Sequence, residues 1–290
     1  MTTTSTPSVL VLGTGGTIHS WGNGPLDYHN YGSSGNDKLT VPHLMGWLPG
    51  VHDLPALRSE QMFQMGSPSI GPAEWLELAR RINTVFSESA ETMGIVVTHG
   101  TSTLEETAFF LHLTVKSDRP VVLTGSMRPP SAIGSDAPAN FINDIRVAAA
   151  ADSRGMGVVT ILNDEIQSAR DVRKGNTYRT DTFHSGEFGI LGYADADHEV
   201  VYYRKPFRAH TAATEFDPAA IDALPKVAIV YAYSGDDGSQ VKAAVDGLNQ
   251  CERCGQPTTG EVCAFCRIVD TSRAHDPVPV EVLLRRGRSR

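Results

Sequence analysis

Short β-branched apolar runs alternate along this chain with longer segments of helical period, and that alternation leaves few folds open. It is the pattern of a mostly parallel sheet joined by crossover helices, so the expected class is α/β with flanking helices. The strand candidates are SVLVLG (8–13), GIVVTHG (94–100), PVVLTG (120–125), GVVTIL (157–162) and KVAIVYAY (226–233). Their continuous apolarity suits strands covered on both faces. Between them, GPAEWLELARRINTVF (71–86) puts Trp75, Leu78, Ala79 and Ile82 on one stripe, and TLEETAFFLHLTV (103–115) does the same with Leu104, Ala108, Leu111 and Val115. PANFINDIRVAAA (138–150) reads as a third helix, with Pro138 in its first turn. VKAAVDG (241–247) is a short fourth candidate.

With 290 residues the chain can bury a sizeable core. Its net charge of −8 gives no reason to expect nucleic acid or an anionic membrane as a general partner. The amino terminus has no basic region, and its apolar run is too short for a signal peptide or a membrane span, so a cytoplasmic location is expected.

In an open parallel sheet, ligands bind beyond the carboxyl ends of the strands. That rule selects two turns, Thr14–Thr17 in GTGGTI and His99–Ser102 in HGTST. Three readings compete for the first. A dinucleotide fingerprint needs a third glycine where Ile18 stands, and a phosphate loop needs a lysine that is missing here. A plain strand exit accounts for the glycines but not for the threonines around them. A threonine nucleophile is the third reading; it needs a base or proton relay, which a desolvated lysine can supply. HGTST again closes an apolar strand on a threonine, Thr101, so two hydroxyls at strand ends flank a potential substrate carbonyl.

TGGTI, VVTHGTSTLEETAFFLHLTVKSDRPVVLTGSMRP and ARDVRKGNT, in that order and spacing, resemble the bacterial-type L-asparaginase family, from about Val9 to about Gly247. The resemblance implies a threonine-dependent amidohydrolase that releases ammonia from a small side-chain amide, with no cofactor for catalysis. Thr17 would be the nucleophile. Tyr31, in the lid stretch LDYHNYGSSG, would assist it, with Tyr28 the lesser candidate. Thr101 and Lys174 would form a second polar pair that relays a proton, and Ser67 would bind the substrate carboxylate. Backbone N–H groups around Gly16 and Gly100 would stabilise the oxyanion. Each role has a plainer alternative: a solvated charge for Lys174, a packing anchor for Tyr31 and a helix cap for Ser67. His99 is expected to be structural.

Two departures fall in recognition. Ser102 stands where the family usually carries an aspartate that holds an α-ammonium, and Pro68 where it tends to have glutamine. The family also continues beyond KVAIVYAY into a second α/β domain and commonly forms homo-oligomers. Here one strand and one helix of that domain are expected, followed by CERCGQPTTGEVCAFC.

That stretch gathers all four cysteines, Cys251, Cys254, Cys263 and Cys266, in a C-x2-C-x8-C-x2-C pattern. Four thiolates so spaced suit a closed, structural zinc site; a disulfide pair or redox motif is the alternative. It is similar to the zinc ribbon that ends cytoplasmic tRNA thiouridine synthases. With the basic end LLRRGRSR it implies either a module that contacts RNA or a protein partner, or a metal staple for a small terminal piece. The expected organisation is an asparaginase-like domain over 8–222, the start of a second domain over 223–250, a zinc ribbon over 251–270 and a basic tail over 271–290. The rival to a working enzyme is a binding protein that keeps the scaffold without turnover.

Overall fold

The computed structural model describes residues 6–31, 38–48, 53–195, 197, 199–246, 249–253, 257–258, 260–262 and 266. They form two compact units divided at Leu224 and Pro225.

The first unit is built on an eight-stranded sheet. Its strands are β1 (Ser8–Gly15), β2 (Ala56–Met65), β3 (Thr92–Thr98), β4 (Val121–Thr124), β5 (Val158–Leu162) and β6 (Glu165–Ser168), and then, past the small β7 (Arg173–Lys174) and β8 (Phe183–His184) pair, β9 (Gly192–Ala194) and β10 (Val200–Tyr202). The order is β10-β9-β6-β5-β4-β3-β1-β2. Strands β2, β1, β3, β4 and β5 run parallel, whereas β6, β9 and β10 extend the sheet antiparallel beyond β5. The expected mostly parallel α/β architecture is therefore present.

Alternation along the buried strands sorts side chains to two faces. Leu10, Leu12, Ile95, Val97 and Leu123 pack with Leu78, Ile82, Leu104 and Leu111 from two of the helices. Val9, Val11, Val96, Val122 and Ile161 pack with Leu44, Phe141 and Ile145 from the other two. The helices are α1 (Val41–Met45), α2 (Pro72–Glu88), α3 (Leu104–Thr114) and α4 (Ala137–Ala149). Both α2 and α4 carry proline in the first turn, where a missing N–H leaves no helical bond unmade. The result is three layers with the sheet in the middle, and the carboxyl ends of β1 and β3 emerge side by side.

Strand β2 escaped the apolar pattern because it lies at the sheet edge and is largely polar. Its charges are satisfied instead: Arg81 from α2 makes a two-pronged pair with Glu60, and Arg58 donates to Ser8 Oγ at 3.2 Å and to Thr92 Oγ1. Charged side chains of this kind protect a sheet edge from pairing with other chains.

In the second unit the short helix is present as α5 (Ser239–Val245). The expected strand over 226–233 is not. Those residues have no ladder partners among the described residues, and Val227, Ile229, Tyr231 and Tyr233 are exposed. A strand holds only when its N–H and C=O groups find a neighbour, so apolar content alone is insufficient. Strands β11 (Asn249–Gln250) and β12 (Pro257–Thr258) form a small antiparallel pair beside Cys251, which is buried. Cys254 and Cys263 lie outside the described residues, so the four-thiolate arrangement does too. No helix among the described residues is long and apolar enough to cross a membrane.

Candidate functional site

Strand β1 ends in a turn that only glycine accommodates. Gly15 and Gly16 have φ of 109° and 88°, and a Cβ on Gly16 would collide with the backbone of Gly100 in the neighbouring turn. The two strand-end turns therefore touch through glycines. Thr14 points inward and donates to Thr98 O at 2.9 Å, which makes it a structural hydroxyl. Thr17 opens a single 3-10 turn, and its Oγ1 donates to Tyr31 Oη at 3.1 Å. Of the expected lid stretch 26–35, residues 32–35 lie outside the described residues. Tyr28 instead donates to Ile133 O at 3.2 Å.

The second turn follows β3. Thr101 is buried, and its Oγ1 accepts from Lys174 Nζ at 2.8 Å. Burial holds the Lys174 ammonium below its ordinary range, against the opposing charge of Glu105. Glu105, in the first turn of α3, accepts the backbone N–H of Lys174 at 2.6 Å and thereby anchors β7 over the turn. Nothing in the sequence pattern separated Glu105 from its neighbour Glu106. Ser67 is buried beside Gly100, and Thr103 Oγ1 donates to its carbonyl at 2.8 Å, so three loops converge there.

Two histidines brace these turns. His19 Nδ1 lies 2.7 Å from Leu39 O and must donate to it, leaving Nε2 to accept from Thr98 Oγ1 at 2.7 Å. His99 Nδ1 likewise donates to Gly100 O at 2.8 Å, while its Nε2 accepts from Thr107, which itself accepts from Trp75 Nε1. Burial pushes both imidazoles down to about 4, so both are neutral near pH 7. Since each ordinarily titrates near 6.5, their contribution to stability is complete above that pH and is lost as pH falls toward about 4. His99 is thus a structural group, bonded away from the cavity.

Thr17, Tyr31, Ser67, Thr101, Ser102, Gly16 and Gly100 line one cavity of about 330 Å³. Gly15, His19, Ser20, Lys38 and the stretch from Gln64 through Met65 and Gly66 to Pro68 complete its wall. Lys174 stands behind Thr101 rather than in the wall. Lys38 escaped notice in the sequence because a single lysine in a polar stretch looks like a solvated charge. A larger cleft of about 870 Å³ lies at the opposite, amino ends of the strands. Its cations are already committed: Arg119 donates to Ser89 O and Thr92 O, Arg80 to Pro218 O, and Lys116 to Thr214 O. The smaller cavity gathers the strand-end hydroxyls.

Residues 8–208 match the family model for the asparaginase N-terminal domain. L-asparaginase 2 of Bacillus subtilis is 42% identical over 240 residues, covering 82% of this chain and 62% of that protein. L-asparaginase 2 of Escherichia coli is 40% identical over 240 residues, covering 83% and 67%. The glutaminase-asparaginase of Pseudomonas fluorescens is 39% identical over 242 residues, covering 83% and 65%. This chain therefore spans about two thirds of the length of these relatives. The crystal structure of a probable cytoplasmic L-asparaginase from Campylobacter jejuni superposes with a TM-score of 0.76 at 37% identity, over 82% of this chain and 71% of that one. With its two threonine turns at adjoining strand ends, the chain belongs to the asparaginase family.

Proposed function

We propose that this protein is an asparaginase-type amidohydrolase, converting a small side-chain amide, asparagine or a related compound, to the acid and ammonia. The observation that carries this reading is the pairing of two strand-end hydroxyls in one cavity, Thr17 against Tyr31 and Thr101 against Lys174. Thr17 Oγ1 attacks the amide carbon while its proton passes to the Tyr31 oxygen and the Tyr31 hydroxyl proton moves on to the amide nitrogen. The C–N bond then breaks and the nitrogen leaves as ammonia. Water, deprotonated through Thr101 toward Lys174, attacks the resulting ester; the bond to Thr17 breaks, the proton returns to the Thr17 oxygen and the acid departs. The net reaction consumes one water per amide. Backbone N–H groups of the two turns receive the developing oxyanion.

A lysine kept partly desolvated is neutral, and so able to take a proton, for a larger fraction of the time than a solvated one, which suits Lys174 to this relay. Lys174→Met is expected to lower kcat by about 10²–10⁴. The pH profile should lose the limb that reports lysine deprotonation, and Lys174→Arg should not restore it, because guanidinium does not deprotonate in this range. A profile unchanged in Lys174→Met would show the lysine to be only a buttress. The function itself is tested by ammonia release from a panel of small amides; no release above a Thr17→Ala control across the panel overturns it.

A structural zinc on Cys251, Cys254, Cys263 and Cys266 belongs to the same reading. The donor set supports it, since four thiolates at these spacings satisfy tetrahedral zinc with no open position. Purified protein should hold about one zinc per chain and lose helical or strand signal on chelation. Absence of metal together with oxidised thiols refutes it.

A further inference from the structure

The charge of the cavity wall has a direct bearing on what it accepts. Lys38 is its cation, and no aspartate or glutamate is among the described residues that line it. Lys38 Nζ donates to Ser20 Oγ at 3.2 Å, and Ser20 Oγ donates to Gly16 O at 2.9 Å. One hydroxyl therefore separates the ammonium from the turn that carries Thr17. The other polar side chains among the described residues of the wall are the hydroxyls of Thr17, Ser20, Tyr31, Ser67, Thr101 and Ser102, the amide of Gln64 and the buried imidazole of His19. The Gln64 amide is engaged on both sides, donating to Leu39 O at 2.9 Å and accepting from Gln61 Nε2 at 2.8 Å. Glu105, the acid nearest in sequence to the second turn, is occupied by the Lys174 backbone and faces Arg173. Helix α3 adds a fixed bias of the same sign, since its first turn begins two residues after Ser102.

An amino-acid amide brings a carboxylate and an ammonium together. The described residues of the wall complement the first and oppose the second, for a desolvated ammonium needs an acid or free acceptors and here meets the Lys38 cation. We infer that the cavity selects a small amide with a free carboxylate and no α-ammonium, with succinamate as the simplest example, over L-asparagine. The inference rests on the cavity being the amidohydrolase site, and Lys38 and Ser102 are its specificity-determining residues.

Calorimetry on the full chain carrying Thr17→Ala measures binding without turnover. Succinamate should bind at least tenfold more tightly than L-asparagine. Adding Lys38→Ala or Lys38→Met should weaken succinamate about tenfold or more and leave L-asparagine unchanged or improved, while adding Ser102→Asp should move the ratio toward L-asparagine. Lys38 is exposed, so these variants keep the fold, and matching melting temperatures verify it. Equal or tighter binding of L-asparagine, a ratio insensitive to Lys38, or no binding of either compound overturns the selectivity. Steady-state hydrolysis by the unmodified chain is read separately. Selective binding with no ammonia released upholds the selectivity and removes the amidohydrolase reading; release from L-asparagine in preference does the reverse.

Discussion

Thr17→Ala is expected to abolish ammonia release, by a factor of at least about 10³ in kcat, with succinamate and L-asparagine alike. The size of the effect follows from what the hydroxyl does: without it no acyl ester forms, and the remaining groups offer only positioning and oxyanion stabilisation. The variant should fold, because Thr17 is half-buried at the cavity and its side chain bonds to Tyr31 rather than to the core. Circular dichroism and thermal melting should therefore match the unmodified protein to within about 1 kcal/mol. A Thr17→Ala variant that retains a tenth or more of the activity would place the nucleophile elsewhere, with Thr101 the next hydroxyl to test.

Gly16→Ala is expected to damage stability and activity together. At φ of 88° an alanine is already strained, which costs on the order of 1–2 kcal/mol. Its Cβ also meets the Gly100 backbone, and backbone cannot swing aside as a flexible side chain would. Overpacking of this sort adds roughly 1–3 kcal/mol, so the expected loss is about 2–5 kcal/mol in a denaturant titration. Such a loss is a large part of a domain's net stability. Any folded fraction must part the two turns, which moves Thr17 away from Thr101 and removes activity even below the melting temperature. Gly24→Ala is the control, since a Cβ there meets open space. Equal effects from the two substitutions would contradict the close contact.

How far the sequence foretells this structure depends on where each residue gets its partners. Strands β1, β3, β4 and β5 are buried on both faces, so their apolar runs announce them. Strand β2 and the antiparallel extension through β6, β9 and β10 do not, because their pairing is settled by the sheet edge they join and by contacts such as Arg58 with Ser8. The run 226–233 shows the converse error, being apolar enough for a strand yet without a ladder to enter among the described residues. At the site, the threonines were accessible because strand ends are where ligands bind. Lys174 had no local signal of its own, since what makes it different is burial over Thr101, 73 residues away. Glu105 and Lys38 have the same character: a charge acquires its role from what it faces, and facing is a tertiary property.

The bonds from Trp75 through Thr107 and His99 to the Gly100 carbonyl have one further consequence. Each donor in that row has a single acceptor, so the row admits one proton order and one tautomer of the imidazole. Rotating the Gly100–Thr101 peptide would strand the His99 N–H in the interior, at about 1–3 kcal/mol. In a planar trans peptide the Thr101 N–H points opposite to that carbonyl, and it is held as firmly. A glycine turn that would otherwise sample flipped states is thus latched from the far side of α3, and an incoming carbonyl finds its dipoles already aimed.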